Sequence, residues 1–200
     1  MSSKPLLYLG SLIPLVFFGT TFIAGFMQGN YHHLSRMVSE LGTIGTSSQY
    51  VFMAGLLACS ALSGLFVLGL YRGCKAAKLN VLPVMLILAF STSIAGAALF
   101  PLPLRVHGIL GSPSILLILS PVLSMILWRK QELHHVVPMS VVSFLLMSLG
   151  FLAFMPDVLT EYVGLKQRFF HVGWSVWFGY LSYGFLRVVK SREPMPLQHA

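Results

Sequence analysis

A chain of 200 residues in which 56% are hydrophobic and 9% are charged does not fit a soluble domain, where about a quarter of the residues are charged. The net charge of +8 does not indicate nucleic-acid binding, because the basic residues are scattered at the ends of apolar runs and form no stripe with interleaved aromatic residues. Composition therefore predicts an integral membrane protein that has the lipid bilayer as its partner and no nucleic-acid partner.

Six apolar runs follow one another along the chain, and each is close to the ~20 residues that a helix needs to cross a bilayer. They are Leu6–Met27, Tyr50–Leu70, Val81–Leu99, Ile109–Trp128, Val136–Phe154 and Phe169–Val188. The first run is too long for the apolar core of a cleavable signal peptide, so we expect it to be a transmembrane helix. We predict an all-α polytopic domain of six transmembrane helices over residues 1–190. Residues 191–200 include two prolines and show no apolar periodicity, which predicts a disordered cytoplasmic tail.

The basic residues also predict the orientation of these helices. Nine of the 13 Lys and Arg residues lie in the N-terminus, the second and fourth loops and the tail, and four lie in the first, third and fifth loops. By the positive-inside rule both termini are cytoplasmic, in a multi-pass protein of the plasma membrane, which is the inner membrane of a bacterial cell. Three outer segments result: Tyr31–Gly42, Phe100–Gly108 and Met155–Gly173. Ionisable groups at such positions are costly unless paired or solvated, so their concentration there predicts a functional site.

The first outer segment has apolar residues spaced i, i+3, i+4 and i+7, which predicts a short amphipathic helix at the membrane surface: Leu34, Met37, Val38 and Leu41. His33, Arg36 and Glu40 take the opposite side of that helix, and Ser39 lies beside Glu40. We predict that Glu40 is a catalytic acid or base and that His33, Arg36 and Ser39 bind the substrate. The alternative is a purely stabilising i, i+4 pair between Arg36 and Glu40.

The other two outer segments each carry an arginine followed by a histidine at the start of a helix. Arg105 and His107 begin the fourth helix, and Arg168 and His171 begin the sixth. We predict that His107 and His171 are catalytic and that Arg105, Arg168 and Asp157 bind the substrate. For Arg105 a snorkelling anchor at the membrane surface is the alternative. The shared order of proline, arginine, histidine and glycine suggests a duplicated hairpin.

Histidines from three loops also raise the question of a cofactor. His33, His107 and His171 are candidate ligands of a divalent metal such as zinc, completed by a carboxylate, although their spacing matches none of the short zinc motifs. Haem ligation by His107 and His171 is a less favoured alternative, because no further paired histidines lie deeper in the helices. In the metal-free alternative, the arginines hold an anionic head group while a histidine and Glu40 transfer protons.

Three motifs carry a resemblance to a known family. They are His33-x-Ser35-x-x-x-Ser39-Glu40-Leu41-Gly42, Phe100-Pro101 with His107-Gly108, and Gln167-Arg168 with His171 and Trp174. Together they resemble a family of small six-helix membrane proteins known as domain of unknown function 998. The resemblance spans nearly the whole chain and implies the six-helix architecture, but it assigns no activity and no catalytic residues. A more distant likeness is to membrane hydrolases of the ceramidase and progestin-receptor type, whose paired-histidine last helix this chain lacks.

These observations favour a small membrane protein with a His/Arg/Glu site at the outer face. We expect it to bind an amphiphilic or lipid-like molecule and to act on it by acid–base or hydrolytic chemistry. The alternatives are a sensor or transporter of a small anion, a haem-binding redox protein, and a polar network without activity. Transport is disfavoured because charged residues are nearly absent from mid-membrane positions. No oligomeric state follows from the sequence.

Overall fold

The computed structural model describes residues 3–128 and 133–191, and within them the protein is all-α, as predicted. These described residues form seven α-helices in chain order: α1 (Lys4–Gln28), α2 (Gln49–Ala77), α3 (Leu82–Leu99), α4 (Arg105–Gly111), α5 (Leu119–Leu127), α6 (Val136–Leu149) and α7 (Val163–Ser191). Short 3-10 segments occupy Val38–Gly42, Ser112–Ile118, Gly150–Phe154 and Thr160–Tyr162. From residue 192 onwards, the predicted disordered tail lies outside the described residues.

Five of these helical stretches are long and apolar enough to cross a membrane, which confirms a multi-pass membrane protein. They are α1, α2, α3, the fourth segment Arg105–Leu127, which joins α4 to α5, and the fifth segment Val136–Phe154, which extends α6. The 29 residues of α7 are long enough but less apolar. This helix packs against α1, α2 and α6, and most of its aromatic side chains are buried there, among them Trp174, Trp177 and Tyr180. The sixth crossing stays a prediction.

The segments form a closed ring. Each packs against the next in chain order, and α7 returns to pack against α1. At this closure the Ser11 hydroxyl donates to the Ser182 hydroxyl at 3.3 Å. Aromatic side chains fill the interior, with Trp174 in contact with Phe17, Phe90 and Phe178. The ring therefore has a packed centre to which the first and last helices both contribute.

The fourth segment is irregular in the middle, where Ser112–Ile118 is 3-10 rather than α-helical. Pro121 lies in the first turn of α5, and its ring disturbs the preceding turn because it lacks an N–H and clashes with the backbone one turn back. Ser93 of α3 compensates for part of the broken hydrogen bonding. Its hydroxyl donates to two carbonyl oxygens at the end of α4, at 2.6 and 2.8 Å, and accepts from the Ser114 N–H at 3.0 Å.

The first outer segment is a folded loop with one short 3-10 turn, so the prediction of an amphipathic α-helix there is wrong. Two successive backbone N–H groups in its middle are bonded by side chains rather than by helical carbonyls. Glu40 Oε1 accepts from the Met37 N–H at 2.8 Å, and Gln167 Oε1 accepts from the Val38 N–H at 2.7 Å. These bonds stabilise a loop conformation that competes with a helix.

Candidate functional site

The three predicted outer segments meet at one end of the bundle, called the loop-1 end below. The Leu165 N–H at the start of α7 donates to the Leu34 carbonyl at 2.8 Å. The Ile44 N–H donates to the Leu102 carbonyl, also at 2.8 Å. The first loop is therefore bonded to the loops on both sides of it.

Arg168 is the centre of this junction. One terminal nitrogen, Nη1, donates to the carbonyls of Arg36 and Gly164 at 3.1 and 2.9 Å. The other, Nη2, donates to the Tyr31 hydroxyl at 3.0 Å and to His33 Nδ1 at 3.1 Å. A guanidinium carries donors only, so His33 Nδ1 is the acceptor in this pair and the ring is neutral. The side chain thus holds the first loop against α7.

The electrostatics of this network follow from its partial burial. Burial lowers the pKa of His33, and the neighbouring Arg168 guanidinium lowers it further. Burial also raises the pKa of the Tyr31 phenol, against the opposing effect of the hydrogen bond and charge of Arg168. Both side chains therefore stay uncharged at neutral pH and serve Arg168 as neutral hydrogen-bond partners.

Glu40 has a partner at each carboxylate oxygen. Its Oε2 accepts from Arg36 Nε at 2.8 Å, and its Oε1 is taken by the Met37 N–H. Gln28 Nε2 donates to the Glu40 carbonyl at 3.2 Å. The side chains of Arg36 and Glu40 are 43% and 32% exposed. The stabilising pair considered above is thus present in the structure, and catalysis by Glu40 stays a prediction.

Lys166 also belongs to this junction, although no pattern in the sequence indicated it. It is 1% exposed, and its Nζ donates to the carbonyls of Met155 and Val158 at 2.9 and 2.7 Å. These bonds hold the fifth loop against the start of α7. Its position between Leu165 and Gln167 gave no periodic signal, because the partners are backbone atoms of an irregular loop.

Two predicted substrate-binding residues lie apart from the junction. Arg105 and Asp157 are exposed, and neither side chain makes a hydrogen bond or ion pair with the described part of the chain. For Arg105 this position suits the snorkelling alternative. Their predicted roles therefore gain no support from geometry.

A cavity of about 410 Å³ lies inside the ring at the loop-1 end. All six segments and the first loop contribute to its wall. Most of the lining is apolar, and the polar side chains are few: Ser39, His107, Ser112, Ser114, Gln167 and His171. No described Arg, Lys, Asp or Glu residue lines it, so Arg36, Glu40 and Arg168 surround the cavity without facing into it.

The two cavity histidines present opposite hydrogen-bonding groups. His107 Nδ1 lies 3.0 Å from the carbonyl oxygens of Ala97 and Phe100, so it carries the proton, and in the neutral ring Nε2 is an acceptor. His171 Nδ1 accepts from the Trp174 indole N–H at 3.2 Å, so its proton lies on Nε2. That Nε2 is buried and has no partner among residues 3–128 and 133–191.

The side of the ring between the fourth and fifth segments contains the exposed lining residues. They are Gly108 and Ser112 in the fourth segment and Phe154 at the end of the fifth, which is 68% exposed. Every other lining residue is buried or half-buried. The opening of the cavity therefore lies in the lateral wall of the bundle.

The three candidate metal ligands are not gathered at one place. His107 and His171 line the cavity, whereas His33 is bonded to Arg168 outside it. In the described ranges no three His, Cys, Asp or Glu side chains are grouped so that they could hold a metal ion. The candidate zinc site and the less favoured haem ligation stay untested.

Comparison with known proteins bears on the family of this chain. Neither the curated proteins nor the solved structures include a match to it. A family model described as "Protein of unknown function (DUF998)" matches residues 11–183, which confirms the resemblance inferred from the motifs. The chain is a member of the DUF998 family of membrane proteins.

Proposed function

We propose that this protein binds an amphiphilic, lipid-like molecule in its cavity and that the molecule enters from the bilayer. The observation that carries this proposal is the mainly apolar cavity whose exposed lining residues lie between the fourth and fifth segments. Its volume falls within the roughly 300–1,000 Å³ of small-molecule sites. A lateral opening at membrane depth suits a ligand that is dissolved in lipid.

The proposal includes an arrangement in the plasma membrane. Six segments cross it, α7 is the sixth, and both termini are cytoplasmic. The nine-to-four distribution of basic residues supports this orientation, and the 29-residue length of α7 supports the sixth crossing. The loop-1 end and the polar part of the cavity then lie on the outer side.

In this proposal the charged network closes the outer end of the cavity. Met37, Val38 and Ser39 form part of the cavity wall, and Arg168 fixes the loop that contains them. Because Glu40 is bonded to Arg36 and the loop backbone outside the cavity, the geometry favours binding over proton transfer by Glu40.

The test uses two photoreactive probes, a 16-carbon alcohol and the matching fatty acid, each with a diazirine in its chain. Gly108 lies in the cavity wall at its opening, and a Cβ added there would meet nothing within 4 Å, so Gly108→Phe adds a ring at the opening without displacing the backbone. Gly19→Phe is the matched control, since Gly19 is a helical glycine with the same free space and lies away from the cavity.

We expect at least one probe to label peptides of the cavity wall in wild type and in Gly19→Phe. Labelling should fall at least fivefold in Gly108→Phe. If both variants are labelled equally, or if labels appear on outward-facing residues alone, the proposal fails.

A further inference from the structure

The geometry points to an uncharged ligand whose head group carries a hydroxyl, such as a long-chain alcohol or a monoacylglycerol, bound by the cavity histidines His107 and His171. This inference rests on the proposed function and specifies its ligand class. Three observations carry it: the absence of charged side chains from the described cavity wall, the complementary polarity of the two histidines, and the apolar surface beyond them.

Charged head groups have no counterion in the cavity. The two terminal nitrogens of Arg168 already bond four acceptors, and Arg36 is paired with Glu40. Arg105 is exposed and is not part of the wall. A carboxylate, phosphate or ammonium would therefore enter an apolar site unpaired, which is far more costly than burial of a neutral hydroxyl.

The two histidines together match a hydroxyl group. His171 Nε2–H is a buried donor without a partner among the described residues, and His107 Nε2 in the neutral ring is an acceptor on the same cavity wall. A hydroxyl supplies both functions, whereas an ester, an ether or an ionised phosphate supplies acceptors alone. A ligand with hydroxyls therefore offers each ring a complementary group, and the buried His171 nitrogen gains a partner that no described residue supplies.

The rest of the wall determines the direction of the chain. The His171 ring lies 4.7 Å from the Phe17 ring, centre to centre, and Trp174 follows one turn further along α7. Ile13 and Phe90 extend the apolar surface towards the middle of the bundle. The hydroxyl thus lies near the loop-1 end, and the hydrocarbon chain runs towards the middle of the ring.

The experiment is a competition against the photoreactive alcohol on the full chain in detergent. The competitors share a 16-carbon chain and differ in their heads: hexadecanol, monopalmitoylglycerol, palmitate and hexadecyl phosphate. We expect the two hydroxyl compounds to halve labelling at concentrations at least tenfold below those of the two anions.

Two variants isolate the contribution of His171. His171→Met removes the Nε2–H donor, and hexadecanol should then compete about tenfold less well, as expected for one lost hydrogen bond in a dry site. His171→Gln offers an amide donor to the ligand and an oxygen to the Trp174 indole, so hexadecanol should stay within threefold of wild type. Hexadecane, which has no head, should compete equally in all three proteins if the fold is intact.

The outcomes separate this inference from the proposed function. Equal competition by all heads, preference for an anion, or unchanged competition by hexadecanol in His171→Met would overturn the hydroxyl inference, while cavity labelling would leave the binding function standing. Absence of cavity labelling by either photoreactive probe would remove the binding function itself.

Discussion

At the residue scale, Arg168 and Arg36 of the loop-1 end have very different surroundings. Arg168 donates from both terminal nitrogens to four acceptors, whereas Arg36 meets one carboxylate at the surface. Arg168→Lys should lower the free energy of unfolding by about 2–4 kcal/mol, because an ammonium cannot reproduce the fork geometry. Arg36→Lys is the matched control and should lower it by less than about 1 kcal/mol. Chemical unfolding in mixed micelles measures both, and equal losses would refute the central role of Arg168.

His33 makes the stability of the protein dependent on pH. The folded state keeps its pKa below the ordinary value, so the unfolded chain takes up the proton first as the pH falls. The stability is therefore fully present above pH ~7 and declines as the pH drops through ~6.5 and below. Melting temperatures from pH 5.5 to 8 should fall less steeply in His33→Gln than in wild type. His32→Gln, at the exposed neighbouring position, should follow the wild-type curve; a parallel curve for His33→Gln would exclude this account.

The sequence predicted which residues gather at the loop-1 end better than it predicted what they bond. His33, Arg36, Glu40 and Arg168 were selected as neighbours, and they are joined by hydrogen bonds. Their acceptors are largely backbone carbonyls, whose positions depend on a loop conformation that no side-chain pattern encodes. For the same reason the burial of Lys166 had no signature in the sequence.

At the scale of elements, the close approach of the first loop to α7 requires a glycine at position 164. A Cβ on Gly164 would overlap the carbonyl oxygens of Arg36 and His33. Gly164→Ala should therefore push the loop away from α7 and destabilise the protein by about 1–3 kcal/mol. Limited proteolysis should cut residues 31–42 faster in this variant. Gly179→Ala, at a position of α7 where a Cβ meets nothing, is the control, and equal cleavage of the two variants would contradict the prediction.

The apolar runs predicted where the helices lie, because a segment that crosses the bilayer must form its backbone hydrogen bonds internally. The apolar runs did not predict the break at Ser112–Ile118, since the backbone N–H and carbonyl groups that it frees are bonded by Ser93 of α3. The first loop was assigned a helical period for a related reason. Buried Val38 fits the helical pattern. The side chains of Glu40 and Gln167, however, accept hydrogen bonds from the backbone N–H groups that helical carbonyls would otherwise bond.

At the scale of the whole molecule, the proposed orientation predicts which cysteine substitutions react from outside the cell. The two native cysteines, Cys59 and Cys74, are buried and can be replaced by alanine to give a background without thiols. Arg105→Cys and Asp157→Cys should react with an impermeant maleimide in intact cells. Arg72→Cys, equally exposed but at the opposite end, should react after permeabilisation alone. The reverse pattern would invert the topology and move the cavity to the cytoplasmic side.

The cavity itself could not be predicted from the sequence. Its wall combines side chains from all six segments, and its volume depends on how closely these pack. Small residues such as Ala97 and Gly111 were visible in the sequence, but they serve equally well for tight helix packing. The two histidines were predicted as site residues because ionisable side chains near a membrane are costly. That cost does not reveal the cavity that they line.

The closure of the ring also determines when a binding site can exist during biogenesis. Ser11 emerges early from the ribosome, while its partner Ser182 is made 171 residues later. Until α7 is synthesised, the nascent chain lacks Gln167, Phe170, His171 and Trp174, and the cavity has no wall on that side. A molecule that prefers the completed ring then favours the last assembly step by mass action. Under the proposed function, membrane composition at the site of insertion thereby becomes a determinant of how much mature protein accumulates.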